Sequence, residues 1–129
     1  MVNEGAILPE IRSYKDLDVW KSAMTLAVDC YAVTKDFPRD EVFGLTAQIK
    51  RAAVSIAANI AEGYGRESTP SFIHFLRISQ GSLKELETHI MLSERLAFVT
   101  AEHAAPIFAD IEKGGRMLRN LIRSLEARL

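Results

Sequence analysis

The sequence holds a single cysteine, Cys30, in 129 residues. One cysteine excludes an internal disulfide and a thiolate-bound metal cluster. Positive charge is not in surplus either: 16 Lys and Arg against 17 Asp and Glu give a net charge of −1. Attraction of the whole chain to nucleic acid or an acidic membrane is therefore excluded, and any basic site has to be a local patch. No apolar run approaches the ~20 residues of a membrane span. The opening stretch MVNEGAILPE lacks a basic region and a long apolar one, so no secretory signal is read there. The expectation is a soluble, cytoplasmic protein with no membrane partner.

Chemical motifs are equally scarce. A di-iron helical site needs Glu-x-x-His on two helices, but Ser71, Leu86 and Thr100 stand three residues before His74, His89 and His103. Glu85 and His89, four apart, are a pair common on solvated faces. Cys30 has no histidine nearby in sequence to serve as its base. Glu62-Gly63-Tyr64-Gly65-Arg66 contains glycines without phosphate-loop spacing or a preceding strand. No catalytic residue, metal, cofactor or small-molecule substrate is expected, and the chain is read as a non-enzyme.

What is present is helix. Apolar residues make up 48% and charged residues 26%, a globular composition that predicts one domain over residues 14–129. Gly5 and Pro9 interrupt residues 1–13, which read as a flexible arm. A first helix is predicted over 16–35, with Leu17, Trp20, Met24, Ala27 and Tyr31 on its apolar face. It stops before Phe37-Pro38, because a residue preceding proline is pushed out of the α region. A second spans 41–64, with Asp40 as N-cap and Gly63 and Gly65 as its end. A third begins at the Thr69 cap, with Pro70 in the first position. Phe72, Leu76, Ser79, Leu83, Leu86, Ile90, Ser93 and Ala97 form its seam. A fourth follows Thr100, carrying Ala104, Ile107, Ile111, Leu118, Leu121 and Leu125, with a bend or loosened turn expected at Pro106. No strand pattern occurs. The economical fold is all-α, an antiparallel up-down-up-down four-helix bundle.

The second helix has two apolar faces. Leu45, Ile49, Ala53, Ile56, Ile60 and Tyr64 form a broad face of mostly large residues. Ala47, Val54, Ala57, Ala58 and Ala61 form another, mostly alanine. Between them lies a polar wedge about 80° wide on a helical wheel, holding Gln48, Arg51, Ser55, Asn59, Glu62 and Arg66. One buried face suffices for a monomeric bundle. The alanine face is therefore expected to pack on another copy of the chain, against the alternative that the first and fourth helices cover both faces. Ser55 and Asn59 are expected to be hydrogen-bonded at the margin of that contact. Glu62 and Arg66 have the favourable order for an i,i+4 ion pair. The assembly set is thus Ser55, Ala57, Ala58, Asn59, Ala61, Glu62, Gly63 and Arg66.

The last helix carries Lys113, Arg116, Arg119 and Arg123 in one sector, a stripe able to contact phosphates. Glu112 and Glu126 flank it, and cations near a helix C-terminus also favour the helix dipole. Lys50 and Arg51 are secondary candidates for nucleic-acid contact.

The strings DLDVWKSAM, FPRDEVFGLTAQIKRAAVSIAANIAEGYGR and FLRISQGSLKELETHI resemble the 23S ribosomal RNA intervening-sequence protein family over residues 14 to 125. That resemblance implies a bacterial four-helix bundle assembled as a homopentameric ring, without enzymatic activity or cofactor. It also implies association with RNA or with a nucleic-acid-processing protein. A protein-interaction scaffold that does not bind nucleic acid directly is the alternative.

Overall fold

The computed structural model describes residues 11–129. Of the arm expected over 1–13, residues 1–10 lie outside the described residues. Among the described residues there are four α-helices and no strand: α1 (Asp18–Thr34), α2 (Leu45–Gly65), α3 (Thr69–Arg95) and α4 (Ala101–Glu126). Each helix packs on its neighbour in sequence, and α1 also packs on α4. Among the described residues the backbones of α1 and α3 do not come close, nor do those of α2 and α4, so these two pairs lie on diagonals around one apolar core. This packing is consistent with a bundle.

The start of α1 is set by a short turn, Tyr14–Asp16. Ser13 Oγ accepts from the Lys15 N–H at 3.1 Å, and the Asp16 carboxylate accepts from the Arg12 and Ser13 N–H groups at 2.8 and 3.2 Å. Asp16 therefore closes the turn, and the helix begins at Asp18, two residues later than expected. The face of α1 is also different. Val19, Ala23, Leu26 and Cys30 point into the core, while Met24 and Tyr31 are exposed and Trp20 and Ala27 are half-buried.

α2 begins at Leu45, not Glu41, because Arg39–Glu41 form their own tight turn. The Glu41 carboxylate then accepts from the Leu45 N–H at 3.0 Å, so it caps the helix from four residues upstream while Asp40 sits within the turn. At its other end the helix passes through Gly63 to Gly65, and the left-handed residue that follows is Glu67, φ 62°. Gly63 is a packing residue. A Cβ there would lie 2.7 Å from Phe75 Cβ and 3.2 Å from the Phe72 carbonyl oxygen.

The cap of α3 is Ser68, one residue before the expected Thr69; its hydroxyl accepts from the Ser71 N–H at 3.2 Å. Leu76, Ser79, Leu83, Leu86, Ile90 and Ser93 are all buried, as the heptad spacing predicts. Phe72 is only partly buried, and Ala97, φ 62°, has left the helix and is exposed. Thr100 caps α4 by accepting from the His103 N–H at 3.1 Å. α4 runs without interruption through Pro106. Gly114 and Gly115 face Leu83 across the α3–α4 contact at distances that would accommodate a methyl group.

Candidate functional site

The polar wedge of α2 is a seam with α3. Ser55 Oγ and Ser82 Oγ are 2.8 Å apart, joining the two helices. Asn59 Nδ2 donates to the Ser55 carbonyl oxygen at 2.8 Å and to its hydroxyl at 3.0 Å. One turn away, Ser79 Oγ donates to the Ile56 carbonyl oxygen at 2.9 Å inside the core. Asn59 thus bonds within its own helix, and serine makes both crossings. Farther along, Arg66 Nε donates to Glu62 Oε2 at 3.0 Å, and the Arg66 guanidinium lies 5.1 Å from the Phe75 ring centre. Both charged groups are more than half exposed, so their attraction contributes little to stability.

The alanine face of α2 turns toward α1. Ala57 is buried, Ala61 half-buried, and Ala58 and Val54 exposed. With Trp20, Met24, Val28 and Tyr31 they border an open groove of about 730 Å³. Trp20, Met24, Ala27 and Tyr31, four of the five residues assigned from sequence to the inner face of α1, line one wall of this groove. Lys50 Nζ stands 4.7 Å above the Tyr31 ring at one end, and Tyr14 packs edge-on against Trp20 near the other.

The basic candidates divide between surfaces. Arg116 and Arg119 line a groove of about 960 Å³ between α3 and α4. Lys113 faces α1 instead, beside Asp18 and Lys21. Arg123 is exposed on α4. Lys50 and Arg51 lie on α2, diagonal from α4, and Arg51 donates to Gln48 Oε1 at 3.3 Å. The α3–α4 groove gains two cations that the single-helix reading missed, Arg77 and Lys84. Carboxylates attend three of its four cations: Arg77 pairs with Glu126 at 2.8 Å, Arg116 with Glu112 at 3.0 Å and Lys84 with Glu87 at 3.5 Å. No ion pair of Arg119, Arg123 or Lys113 occurs among the described residues.

Burial pushes the Cys30 thiol up to about 12, with the Asp29 and Asp110 carboxylates adding to the effect. A thiol so raised is a packing group rather than a nucleophile at neutral pH. Burial, followed by the charge and hydrogen bond of Asp110, raises the Asp29 carboxyl above its ordinary value. His89 Nε2 is buried without a hydrogen-bond partner, 3.7 Å from Glu85 Oε2. Among the described residues, no group of three or more His, Cys, Asp or Glu side chains could hold a metal ion. No described helix is long and apolar enough to cross a membrane.

A family model described as 23S rRNA-intervening sequence protein matches residues 15–120. The chain is also similar to a crystal structure of a protein of unknown function from the S23 ribosomal protein family of Bacteroides thetaiotaomicron. The two are 27% identical with a TM-score of 0.73, over 81% of this chain and 97% of the other. No curated protein matches the sequence.

Proposed function

The chain belongs to the 23S rRNA-intervening sequence protein family, and from that premise we propose a non-enzymatic, self-assembling helical factor that associates with RNA. The observation carrying the RNA reading is the shared groove of Arg77, Lys84, Arg116 and Arg119, drawn from two helices. With exposed Arg123 on the same helix as Arg116 and Arg119, it gathers five cations on two adjacent helices of a chain whose net charge is −1, with Glu87, Glu94 and Glu112 also lining the groove. The acids beside it are no barrier. Ion pairs between exposed side chains contribute only ~0–1 kcal/mol, so a phosphate can replace a carboxylate partner.

The assembly we propose is an up-down-up-down antiparallel bundle repeated in a cytoplasmic homopentameric ring. Ser55 with Ser82 and Ile56 with Ser79 across α2 and α3, and Arg77 with Glu126 and Leu83 with Gly115 across α3 and α4, support the antiparallel order, since within each helix pair one number falls as the other rises. The apolar groove between α1 and α2 supports self-association: exposed Met24, Val28, Tyr31 and Val54 lie together where a neighbour would exclude water.

The test is RNA binding by fluorescence anisotropy across a salt series. Replacing Arg116, Arg119 and Arg123 with alanine is expected to weaken binding and flatten its salt dependence. Unchanged binding, or none at low salt, overturns the RNA reading. The apolar α1–α2 groove then favours the second reading, a protein-interaction scaffold.

A further inference from the structure

The same chain that carries the apolar α1–α2 groove also carries an exposed apolar projection. The connection between α1 and α2 meets the connection between α3 and α4 at one end of the fold, where the Phe37 and Phe98 rings are 5.8 Å apart. Phe37 turns inward and is buried, but Phe43, six residues on, is 92% exposed, and Val42 beside it is 53% exposed. Phe43 protrudes just before α2, on a turn held by the bond from the Leu45 N–H to the Glu41 carboxylate. An aromatic side chain so placed contributes nothing to the monomer core and leaves a large apolar area in water.

We infer that Val42 and Phe43 of one copy seat in the α1–α2 groove of a second copy of this chain. This rests on the self-association reading above and specifies its contact. Shape favours it over groove against groove, because two concave walls leave a void, whereas a projecting ring can fill one. Charge favours it too. Asp40 and Glu41 outweigh Arg39 in the turn before the projecting pair, and Lys35 and Lys50 stand at the Tyr31 end of the groove. Phe43 does not occupy its own groove, since it is exposed. A contact between unlike patches is head-to-tail, the type from which rings and open chains are built.

Light scattering and thiol cross-linking test this together. Phe43→Ala is expected to weaken self-association roughly tenfold or more, the scale of an interfacial anchor, with helix content unchanged. Single variants Phe43→Cys and Val28→Cys are then mixed and treated with a short bis-maleimide; Cys30 is buried and stays silent. Val42→Cys repeats the test one residue away, and Val54→Cys on the other wall. Covalent dimers that need both variants in the mixture support the contact. Dimers formed by Val28→Cys alone, in place of mixed ones, overturn it in favour of groove against groove. An oligomer with no mixed cross-link at any of these positions overturns the contact and leaves self-association standing. A wild-type monomer at micromolar concentration overturns both.

Discussion

Ser79 donates its hydroxyl hydrogen to the main-chain carbonyl oxygen of Ile56, 2.9 Å away and wholly buried. A small side chain in the seam of α3 lets α2 come near enough for this bond, and the bond satisfies the buried hydroxyl. Ser79→Ala is therefore expected to cost about 1 kcal/mol, the net worth of an ordinary hydrogen bond. Ser79→Leu keeps the seam apolar but overfills it, and is expected to cost about 1–3 kcal/mol. Urea denaturation followed by circular dichroism measures both; a leucine variant as stable as wild type would contradict the close approach.

Glycines in three helical positions respond in opposite directions. A methyl group at Gly63 meets Phe75 Cβ at 2.7 Å and the Phe72 carbonyl at 3.2 Å. Neither is the loose end of a side chain, so the helices must separate. Gly63→Ala is expected to destabilise by about 1–3 kcal/mol despite the better helix propensity of alanine. At Gly114 and Gly115 the nearest Leu83 carbons would be 3.8 and 3.6 Å from the added methyl, ordinary contact. Alanine at either is expected to stabilise by up to about 1 kcal/mol. Thermal melts of the three variants measure the contrast.

These glycines also mark how far the sequence could be read. The seam of α3 was legible because a single apolar face repeats at helical spacing with serines among the leucines. α1 was not, because it has two apolar stripes. The stripe with the larger residues, Trp20, Met24 and Tyr31, borders the open groove, while Val19, Ala23 and Cys30, mostly smaller, fill the core. Spacing alone does not separate the two: Leu17, Trp20 and Ala27 of the expected stripe pack against the edge of the core, whereas Met24 and Tyr31 are exposed. Gly63 read as a helix end since glycine commonly ends helices, and its contact with Phe72 and Phe75 is visible only across helices. For the same reason Arg116 and Arg119 could be found on one wheel, whereas Arg77 and Lys84 reach their groove from α3.

The Asp29 carboxyl supplies a pH-dependent term. Burial and the adjoining Asp110 carboxyl raise it above its ordinary value in the folded state. The folded protein therefore holds this proton more tightly than the unfolded chain does. The resulting stability is present below the ordinary carboxylate range and is lost as pH rises through the raised value. Asp16 acts in the opposite sense: N–H groups of Arg12 and Ser13 lower it, so its contribution is lost as pH falls through that lowered value. Asp36, Glu102 and His103 border the same cleft as Asp29, which makes the difference between two proteins cleaner than either profile alone. Asp29→Asn is expected to be more stable than wild type at neutral pH, with the gap closing on acidification toward pH ~4. Urea titrations from acid to neutral pH measure the gap; one that widens in acid has the wrong sign.

Glu126 offers the sharpest handle on the cationic groove. It holds Arg77 at 2.8 Å while both side chains remain about half exposed. Such a pair adds little to the fold, yet it places a negative charge where the proposed RNA phosphate would approach. Glu126→Gln should leave the melting temperature nearly unchanged and strengthen RNA binding, because Arg77 keeps its position and loses its competitor. Arg77→Ala should weaken binding and lower the log–log salt slope by about 0.7, the loss of one contact to a single strand. Arg119, with no carboxylate partner among the described residues, should lose at least as much on replacement by alanine. Anisotropy titrations at several salt concentrations measure all three. Weaker binding by Glu126→Gln would mean that the carboxylate orients Arg77 for the ligand instead of competing with it.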